Sequence, residues 1–204
     1  MTETESSLLA ESAAAQLMAN WWAEPTPEHF DAWLDPEWWS AAGAVWSSLG
    51  LVPGLPERLA ATVGVSHEAL ADEYQRLFVG PGAHPCPPYE SVWRTDRPRL
   101  VQGTVMGPAA TAVKTLYAEM GLRVRTDARE LPDHLAVELE ALAFALGTEG
   151  SEVTAKALLE DHLARWLPAF CERTAAEASH DFYRVLATGT AEWVEGLTRR
   201  IGDR

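Results

Sequence analysis

Apolar residues recur at helical spacing along almost the whole chain of 204 residues. Trp38, Ala42 and Trp46, for example, lie four residues apart, which places them on one face of an α-helix. Alternating apolar and polar runs joined by Asn-Gly or Asp-Gly turns, the pattern of paired strands, do not occur. A chain of this length forms one domain, or at most two small ones, and can bury a large core without a metal or a disulfide. The sequence therefore predicts an all-α, single-domain helical bundle of about seven to ten helices.

Local start and stop signals divide this pattern into helices. Thr26-Pro27 and Asp35-Pro36 each combine an N-cap side chain with proline at the first helical position. Ser66 predicts another helix start, whereas Gly50 and Gly121 suit the left-handed conformation that ends many helices. The remaining predictions are a first helix over residues 6–22, helix starts at Leu55-Pro56, Gly107-Pro108 and Pro132-Asp133-His134, and breaks at Pro168 and Ser179 in a long C-terminal helical stretch.

Residues 80–107 interrupt the helical pattern with clusters of glycine, proline and cysteine. Gly80-Pro81-Gly82 and Pro85-Cys86-Pro87-Pro88 are typical of turns and cannot continue a helix. Long loops in compact domains usually carry function. The sequence therefore predicts a long Pro/Gly-rich loop near the middle of the chain and marks it as a candidate functional segment.

The chain is strongly acidic, with 16 Lys and Arg against 30 Asp and Glu, and a net charge of −14. Residues 1–57 contain no Lys or Arg, which argues against a secretory signal or a mitochondrial transit peptide. An acidic surface repels phosphate backbones and favours cationic partners, so nucleic acid is not an expected partner. No uncharged run is long enough to span a bilayer, and Cys86 and Cys171 are isolated. We therefore expect a cytoplasmic protein without stable membrane insertion.

Motifs of catalysis or metal binding are scarce in the sequence. Gly-x-Ser-x-Gly, Walker A, His-Glu-x-x-His and Cys-x-x-Cys patterns are all absent from it. The six histidines are scattered, and His84 with Cys86 would supply only two metal ligands. Gly80-Pro81-Gly82 follows a predicted helix rather than leading into one, which favours a helix stop over a phosphate-binding loop. We therefore expect no enzymatic activity, no metal and no cofactor.

Six of the nine tryptophans lie between Trp21 and Trp46. The members of the adjacent pairs Trp21-Trp22 and Trp38-Trp39 cannot share one side of a helix, because consecutive side chains point about 100° apart. We expect most of the tryptophans in the core and at least one of each pair at the edge of an exposed apolar groove. Such a groove beside many carboxylates would suit a peptide that is basic at one end and apolar at the other.

Three segments carry recognisable motifs, and in this order they resemble the TorD/DmsD/NarJ family of redox-enzyme maturation chaperones. The family pattern is Tyr-x-Arg-Leu-Phe-x-Gly-Pro followed by Pro-Pro-Tyr/Trp-x-Ser-Val. The likeness runs from Leu70 to Ala187, and the N-terminal third shares only helical character and tryptophan content. The motifs here are Glu-Tyr-Gln-Arg-Leu-Phe-Val-Gly-Pro-Gly at residues 73–82, Pro-Pro-Tyr-Glu-Ser-Val-Trp at residues 87–93 and Pro-Asp-His-Leu-Ala-Val-Glu-Leu-Glu at residues 132–140, with further matches at residues 161–170 and 182–183.

The resemblance implies a TorD-like all-α fold over residues 1–204 and a cytoplasmic role without catalysis. Family members bind the twin-arginine signal peptide, or the apo form, of a molybdopterin-containing reductase or dehydrogenase and hold it back from export until the cofactor is inserted. Some dimerise by exchanging helices around a hinge, which would fall at residues 121–134 here, so monomer and helix-swapped dimer both stay open. The peptide-binding region of the family maps onto Trp22, Tyr74, Leu77, Phe78, Pro88, Tyr89, Asp133 and His134.

The chemistry of these residues fits such a ligand, because carboxylates pair with guanidinium groups and aromatic faces stack on them. Each residue also has a purely structural interpretation. Leu77 and Phe78 can belong to the core, Asp133 can cap a helix N-terminus, and His134 can be a buried structural histidine. Three other functions stay open: a NarJ-like assembly factor for a membrane-associated reductase that is not exported, a small all-α nucleotide-binding enzyme using Gly80–Gly82, and an interaction module without a redox client.

Overall fold

The computed structural model describes residues 3–64, 66–80, 85–95, 107–123 and 131–202. Helices dominate these ranges, and their only extended pairing is an isolated antiparallel bridge between Tyr89 and His134. The predicted all-α fold class is therefore confirmed. The helices are α1 (Glu3–Trp22), α2 (Pro27–Trp33), α3 (Pro36–Leu49), α4 (Leu55–Ala60), α5 (His67–Tyr74), α6 (Glu90–Trp93), α7 (Pro108–Glu119), α8 (Leu135–Gly147), α9 (Glu152–Ala157), α10 (Ala164–Glu177) and α11 (Asp181–Gly202), with π-helical turns π1 (Gln75–Val79) after α5 and π2 (Leu158–Leu163) between α9 and α10.

The predicted helix caps are present where the sequence places them. The side chain of Thr26 accepts a hydrogen bond from the amide of His29 at the start of α2. Asp35 does the same for α3, and Ser66 for α5. Gly50 follows α3 with φ of 64°, in the left-handed region that glycine adopts without strain. These agreements arise because a cap depends only on residues within one turn of it.

The predicted break at Pro168 is wrong, because α10 runs through this residue. Proline lacks the N–H that would bond the carbonyl of Ala164, and this loss usually bends or ends a helix. Here Pro168 follows closely on π2, where the wider turn has already shifted the hydrogen-bond register. The break near Ser179 is confirmed, since the chain leaves α10 and starts α11 on either side of it.

The predicted loop over residues 80–107 contains the short helix α6. Residues 81–84 and 96–106 of the loop lie outside the described residues. The same holds for residues 124–130, which make up much of the predicted hinge.

Helix α1 is buried on two sides by aromatic residues. Trp21 packs on Trp46 of α3, with ring centroids 5.5 Å apart. Trp22 packs in the other direction, on Phe78 at 5.8 Å and on Phe170 at 5.2 Å. Both tryptophans are buried. The expectation that one of them would border an exposed groove is therefore wrong, because α1 has packing partners on both of the faces that carry them.

The inward face of α3 differs by one residue from the predicted face. Trp39 is buried, and its indole N–H donates to the carbonyl of Trp33 at 2.7 Å. Trp38, which the spacing assigned to the inward face, is half-buried and meets Trp21 edge-on at 6.2 Å. Either residue fits a helical repeat, so the contact with α1 decides between them.

Glycine permits the close approach of α11 to α4. A Cβ atom built on Gly189 would lie 2.4 Å from Cδ1 of Leu55, and both residues are buried. This packing joins the C-terminal helix to the N-terminal third of the chain.

Candidate functional site

The second and third sequence motifs lie side by side in the fold. The amide of Leu135 donates to the carbonyl of Pro88 at 2.8 Å, and the amide of Glu90 donates to the carbonyl of Asp133 at 2.9 Å. These two hydrogen bonds form the isolated bridge, which we call the motif bridge. It brings together four of the predicted site residues: Pro88, Tyr89, Asp133 and His134.

His134 is the N-cap of α8. Its Nδ1 atom accepts a hydrogen bond from the amide of Ala136 at 3.2 Å, so the ring proton belongs on Nε2. Burial lowers the pKa of His134 to about 4, against the opposing effect of the Asp133 carboxylate. The imidazole is therefore neutral near pH 7, and Tyr89 packs edge-on against it with ring centroids 5.1 Å apart.

Asp133 caps α6 rather than α8. Its Oδ2 atom accepts a hydrogen bond from the amide of Ser91, in the first turn of α6, at 3.1 Å. The side chain is fully buried, and its Oδ1 atom has no hydrogen-bond partner among the described residues. The interpretation of Asp133 as a helix cap is therefore correct. The helix that it caps is α6 of the second motif, not α8, which follows Asp133 in the chain.

The other four predicted residues, Trp22, Tyr74, Leu77 and Phe78, lie in the aromatic core. Each of them is at most 3% exposed. The ring of Phe78 lies 5.0 Å from that of Tyr74 and 5.3 Å from that of Tyr183. Trp22 also donates from its indole nitrogen to the hydroxyl of Thr190 at 2.9 Å. In this arrangement their side chains support the fold.

A short series of contacts connects the aromatic core to the motif bridge. The amide of Cys86 donates to the carbonyl of Leu77 at 2.5 Å. The indole of Trp93 donates to the carbonyl of Pro87 at 2.7 Å, and its ring lies 5.6 Å from that of Phe170 in the core. Among the eight predicted site residues, Tyr89 alone is half-buried and the other seven are buried.

Glu90 links α6 to π2 through a buried polar network that no sequence motif indicated. Its carboxylate contacts Nη1 of Arg94 at 2.5 Å and Nδ1 of His162 at 2.7 Å. Arg94 also donates to the carbonyl of Asp161 at 2.7 Å. Glu90 and His162 are 72 residues apart, so no local spacing could have indicated the pair.

Glu138 adds a further carboxyl group to this buried region. The indole of Trp166 donates to it at 3.4 Å, and its other oxygen has no partner among the described residues. Burial, followed by the charges of Glu90 and Asp133, raises the pKa of Glu138 well above its ordinary value. The buried site therefore favours the protonated, neutral form of Glu138 more than water does.

Glu73 and Arg76 in the first motif join α5 and π1 to the turn between α10 and α11. The Glu73 carboxylate accepts from Arg76 at 2.7 and 2.8 Å and from the amides of Ser179 and His180 at 2.6 and 3.1 Å. Burial alone would raise the pKa of Glu73, but these hydrogen bonds outweigh it and lower the pKa. Arg76 also donates to the carbonyl of Glu177 at 2.8 Å. The polar residues of this motif therefore have a structural role.

A cavity of about 980 Å³ lies between α1, α7 and α8, and none of the eight predicted site residues lines it. Its walls include Leu9 and Gln16 from α1, and Glu140 and Phe144 from α8. No sequence signal indicated a site here, because exposed residues at helical spacing form no distinctive motif.

Comparison with known proteins places the sequence motifs in a family. Residues 50–172, more than half of the chain, match the family described as the nitrate reductase delta subunit. The chain belongs to this family. Membership confirms the resemblance to the TorD/DmsD/NarJ maturation chaperones that the motifs indicated.

Curated relatives of this nitrate reductase delta subunit family member are named as chaperones. It is 35% identical over 121 residues to the Tat proofreading chaperone DmsD of Salmonella typhi. That match covers 59% of this chain and 56% of the relative, so the chain spans little more than half of the length of this relative. It is 30% identical over 162 residues to the selenate reductase assembly chaperone protein of Thauera selenatis, covering 74% of this chain and 79% of the relative.

A solved structure has the same fold as this family member. It is the crystal structure of an Archaeoglobus fulgidus protein described as a redox enzyme maturation protein, with a TM-score of 0.60 and 24% identity. The superposition covers 96% of this chain and 95% of the other. At this identity the likeness establishes the all-α architecture.

The described part of this family member contains no group of three or more His, Cys, Asp or Glu side chains placed to hold a metal ion. No helix among the described residues is both long and apolar enough to cross a membrane. Of the loop that the nucleotide hypothesis uses, Gly80 is described and has an extended backbone, whereas Pro81, Gly82 and also His84 lie outside the described residues.

Proposed function

We propose that this protein is a maturation chaperone for a molybdopterin-containing oxidoreductase. It binds the twin-arginine signal peptide or the apo form of the catalytic subunit in the cytoplasm, and it holds that subunit until the cofactor has been inserted and export can begin. It acts by binding and performs no catalytic step. The proposal treats residues 1–204 as one domain and holds for a monomer and for a helix-swapped dimer alike.

The observation that carries the proposal is the family match together with the names of the relatives. The DmsD relatives are named Tat proofreading chaperones, and the relatives from Thauera selenatis and Ideonella dechloratans are named assembly chaperones of selenate and chlorate reductase. The physical properties of the chain agree with this function, because a net charge of −14 attracts an arginine-bearing peptide over a distance.

Within this proposal the signal peptide contacts the motif bridge first at Tyr89. This side chain is half-buried beside His134, and its ring can stack on an arginine guanidinium. The three other residues of the bridge, Pro88, Asp133 and His134, are buried and hold Tyr89 in position. Trp22, Tyr74, Leu77 and Phe78 contact the peptide only after the bridge has separated from the aromatic core, since all four are buried behind it.

Calorimetric titration with a synthetic twin-arginine signal peptide tests the proposal. We expect saturable binding that weakens as salt is added, because the attraction between an acidic protein and a cationic peptide is screened. Tyr89→Ala should weaken binding by about tenfold, the usual effect of removing an aromatic anchor. Val153→Ala, which removes an apolar side chain that is 82% exposed on α9, is the matched control and should bind like the wild type. If neither the peptide nor the apo subunit binds, the proposal is wrong.

A second candidate function is the assembly of a membrane-associated reductase that is not exported. The match to the nitrate reductase delta subunit family favours it. This function predicts binding to an N-terminal client segment that lacks two consecutive arginines. A peptide in which both arginines are replaced by alanine separates the two functions, because it should lose binding only if the twin-arginine motif is read.

A further inference from the structure

Three carboxyl groups lie together next to the motif bridge, and we call them the buried acid cluster. They belong to Glu90 on α6, Asp133 in the bridge and Glu138 on α8, and all three residues are fully buried. The charges of Glu90 and Asp133 both raise the pKa of Glu138, so the three groups interact through space. Tyr117 of α7 borders the same region, because burial and then the charges of these three residues raise its pKa. The cluster therefore lies where α6, α7 and α8 meet.

The described residues that contact the buried acid cluster offer fewer positive charges than carboxyl groups. Arg94, a permanent cation, contacts Glu90 at 2.5 Å. His162 also contacts Glu90, at 2.7 Å, and is charged only if it is protonated. Oδ1 of Asp133 and Oε1 of Glu138 have no hydrogen-bond partner among the described residues. An ionised carboxylate with an unpartnered buried oxygen is costly, so the cluster is more stable when it keeps a proton.

Glu138 is the member of the cluster that keeps this proton. Asp133 accepts a hydrogen bond from the amide of Ser91 at 3.1 Å, and Glu90 has its contact with Arg94. The bond that Glu138 accepts from Trp166 is longer, at 3.4 Å. Burial therefore dominates at Glu138 and raises its pKa well above the ordinary value of 4.5.

The other groups around the cluster leave this balance of charge unchanged. His134 is neutral near pH 7, because burial lowers its pKa to about 4. Trp166 of α10 does not titrate, and residues 12–22 of α1, which packs along α8, contain no titratable side chain. The titratable and charged side chains that the described residues place around the cluster are Arg94 on α6, His134 before α8, Tyr117 on α7, His162 on π2 and the exposed Glu140 on α8.

A charge on Glu138 acts directly on the motif bridge. The bridge bonds join the amide of Glu90 to the carbonyl of Asp133 and the amide of Leu135 to the carbonyl of Pro88. Glu138 lies one turn further along α8, and its own amide donates to the carbonyl of His134 at 3.0 Å. Once ionised, Glu138 repels the carboxylates on either side of the bridge. Separating α6 from the start of α8 relieves this repulsion and lets water reach all three groups.

We propose that the buried acid cluster is a proton-dependent switch, in which loss of the Glu138 proton to solvent loosens the motif bridge and gives the client peptide access to the aromatic core behind it. The link to the client rests on the proposed chaperone function. The switch itself rests on the positions of the three carboxyl groups. In the closed bridge the proton is retained, whereas in the open bridge Glu138 titrates like an exposed glutamate, so rising pH favours opening.

Amide hydrogen exchange of the ligand-free protein, corrected for the intrinsic exchange rates and measured from about pH 5 to about pH 9, tests the switch. Glu138→Gln keeps the shape of the side chain but does not titrate. Relative to this variant, the wild type should lose protection at the amides of Glu90 and Leu135 as the pH rises above about 4.5. The loss should be up to about tenfold per pH unit until the closed-state pKa is reached. His134 is present in both proteins, so its titration cancels.

Two controls and a second variant accompany this measurement. The amide of Phe30, which donates to the carbonyl of Thr26 in α2, should be protected alike in both proteins at every pH. Glu172→Gln, which changes an exposed carboxylate on α10, should behave like the wild type. Asp133→Asn removes one of the charges that raise the pKa of Glu138, so protection should stop falling at a lower pH than in the wild type. This variant decides the question if Glu138→Gln does not fold.

A ratio of protection between the wild type and Glu138→Gln that stays constant with pH would overturn the inference. An equal pH dependence at the Phe30 amide would also overturn it, because the proton would then be linked to unfolding of the whole chain. In calorimetry the wild type should bind the twin-arginine peptide more tightly as the pH rises, and Glu138→Gln should show no such gain. If the exchange ratio changes but the peptide never binds, the switch stands and the signal-peptide function is rejected. Peptide binding without the exchange effect rejects the switch alone.

Discussion

The carboxylate of Asp133 accepts a hydrogen bond from the backbone amide of Ser91 at 3.1 Å. The two residues are 42 positions apart in the chain and belong to different sequence motifs. The bond caps α6 from the segment that leads into α8, next to the bond between Leu135 and Pro88. The two motifs are therefore parts of one structural unit, and a change in either of them affects the other.

Replacing Asp133 by alanine should destabilise this unit. The variant leaves the buried amide of Ser91 without its acceptor, so we expect the free energy of unfolding to fall by about 1–3 kcal/mol in urea titrations. Asp133→Asn keeps an acceptor oxygen, so its free energy of unfolding should fall less than that of Asp133→Ala. Asp35→Ala removes the exposed cap of α3 and is the control. Its free energy of unfolding should fall by about 1 kcal/mol. An Asp133→Ala protein that is as stable as the wild type but no longer binds a twin-arginine peptide would instead make Asp133 a peptide contact.

His134 should make the stability of the protein depend on pH between about 6.5 and 4. The unfolded histidine takes up a proton as the pH falls through 6.5, whereas burial lowers the folded pKa to about 4. The unfolded state therefore binds more protons in this window, and the free energy of unfolding decreases as the pH falls. The loss approaches roughly 3 kcal/mol at the acid end.

His134→Asn isolates this effect, since asparagine retains an N-cap acceptor but does not titrate. We expect its urea midpoint to fall less than that of the wild type between the two pH limits. Glu138 has a raised pKa and acts in the opposite direction, but it is present in both proteins and so cancels in the comparison. If the urea midpoints of the two proteins fall in parallel as the pH is lowered, His134 does not stay neutral in the fold.

Glu73 should stabilise the junction between α10 and α11. Glu73→Ala leaves the Ser179 amide and the Arg76 guanidinium without their shared acceptor, so we expect a loss of about 2 kcal/mol in the free energy of unfolding. Because hydrogen bonds lower the pKa of Glu73, the contribution is present above its ordinary pKa near 4.5 and is lost as the pH falls below it.

The control for this prediction is Glu195→Ala, which removes an exposed carboxylate 3.8 Å from Arg199. Exposed ion pairs contribute little, so we expect a change of less than about 0.5 kcal/mol. Equal effects of the two substitutions would contradict a structural role for Glu73.

Gly189→Ala should destabilise the contact between α11 and α4. The new methyl group would lie 2.4 Å from Cδ1 of Leu55, and overpacking of this kind costs roughly 1–3 kcal/mol. The better helix propensity of alanine returns about 1 kcal/mol, so a net loss is expected in thermal or urea unfolding. Combining it with Leu55→Ala should give a smaller loss than the sum of the two single changes. Gly64→Ala, where a Cβ would meet no atom of the described residues within 4 Å, is the control. A strictly additive double variant would contradict the close approach.

The helices and their caps could be predicted from the sequence because they depend on neighbouring residues. Thr26, Asp35 and Ser66 each bond an amide two or three residues further on, and their side-chain chemistry is sufficient to indicate this. The choice between Trp38 and Trp39 could not be predicted in this way. Both fit a helical repeat, and the packing of α3 against α1 buries Trp39.

The sequence by itself determined the all-α class, the helix boundaries marked by caps, and the motifs that place the chain in its family. Only the tertiary structure decided that Glu90 contacts His162, that seven of the eight predicted site residues are buried, and that a cavity lies between α1, α7 and α8. The reason is physical: hydrogen bonds within one helical turn are set by adjacent residues, whereas burial and the pairing of distant groups depend on which helix faces pack together.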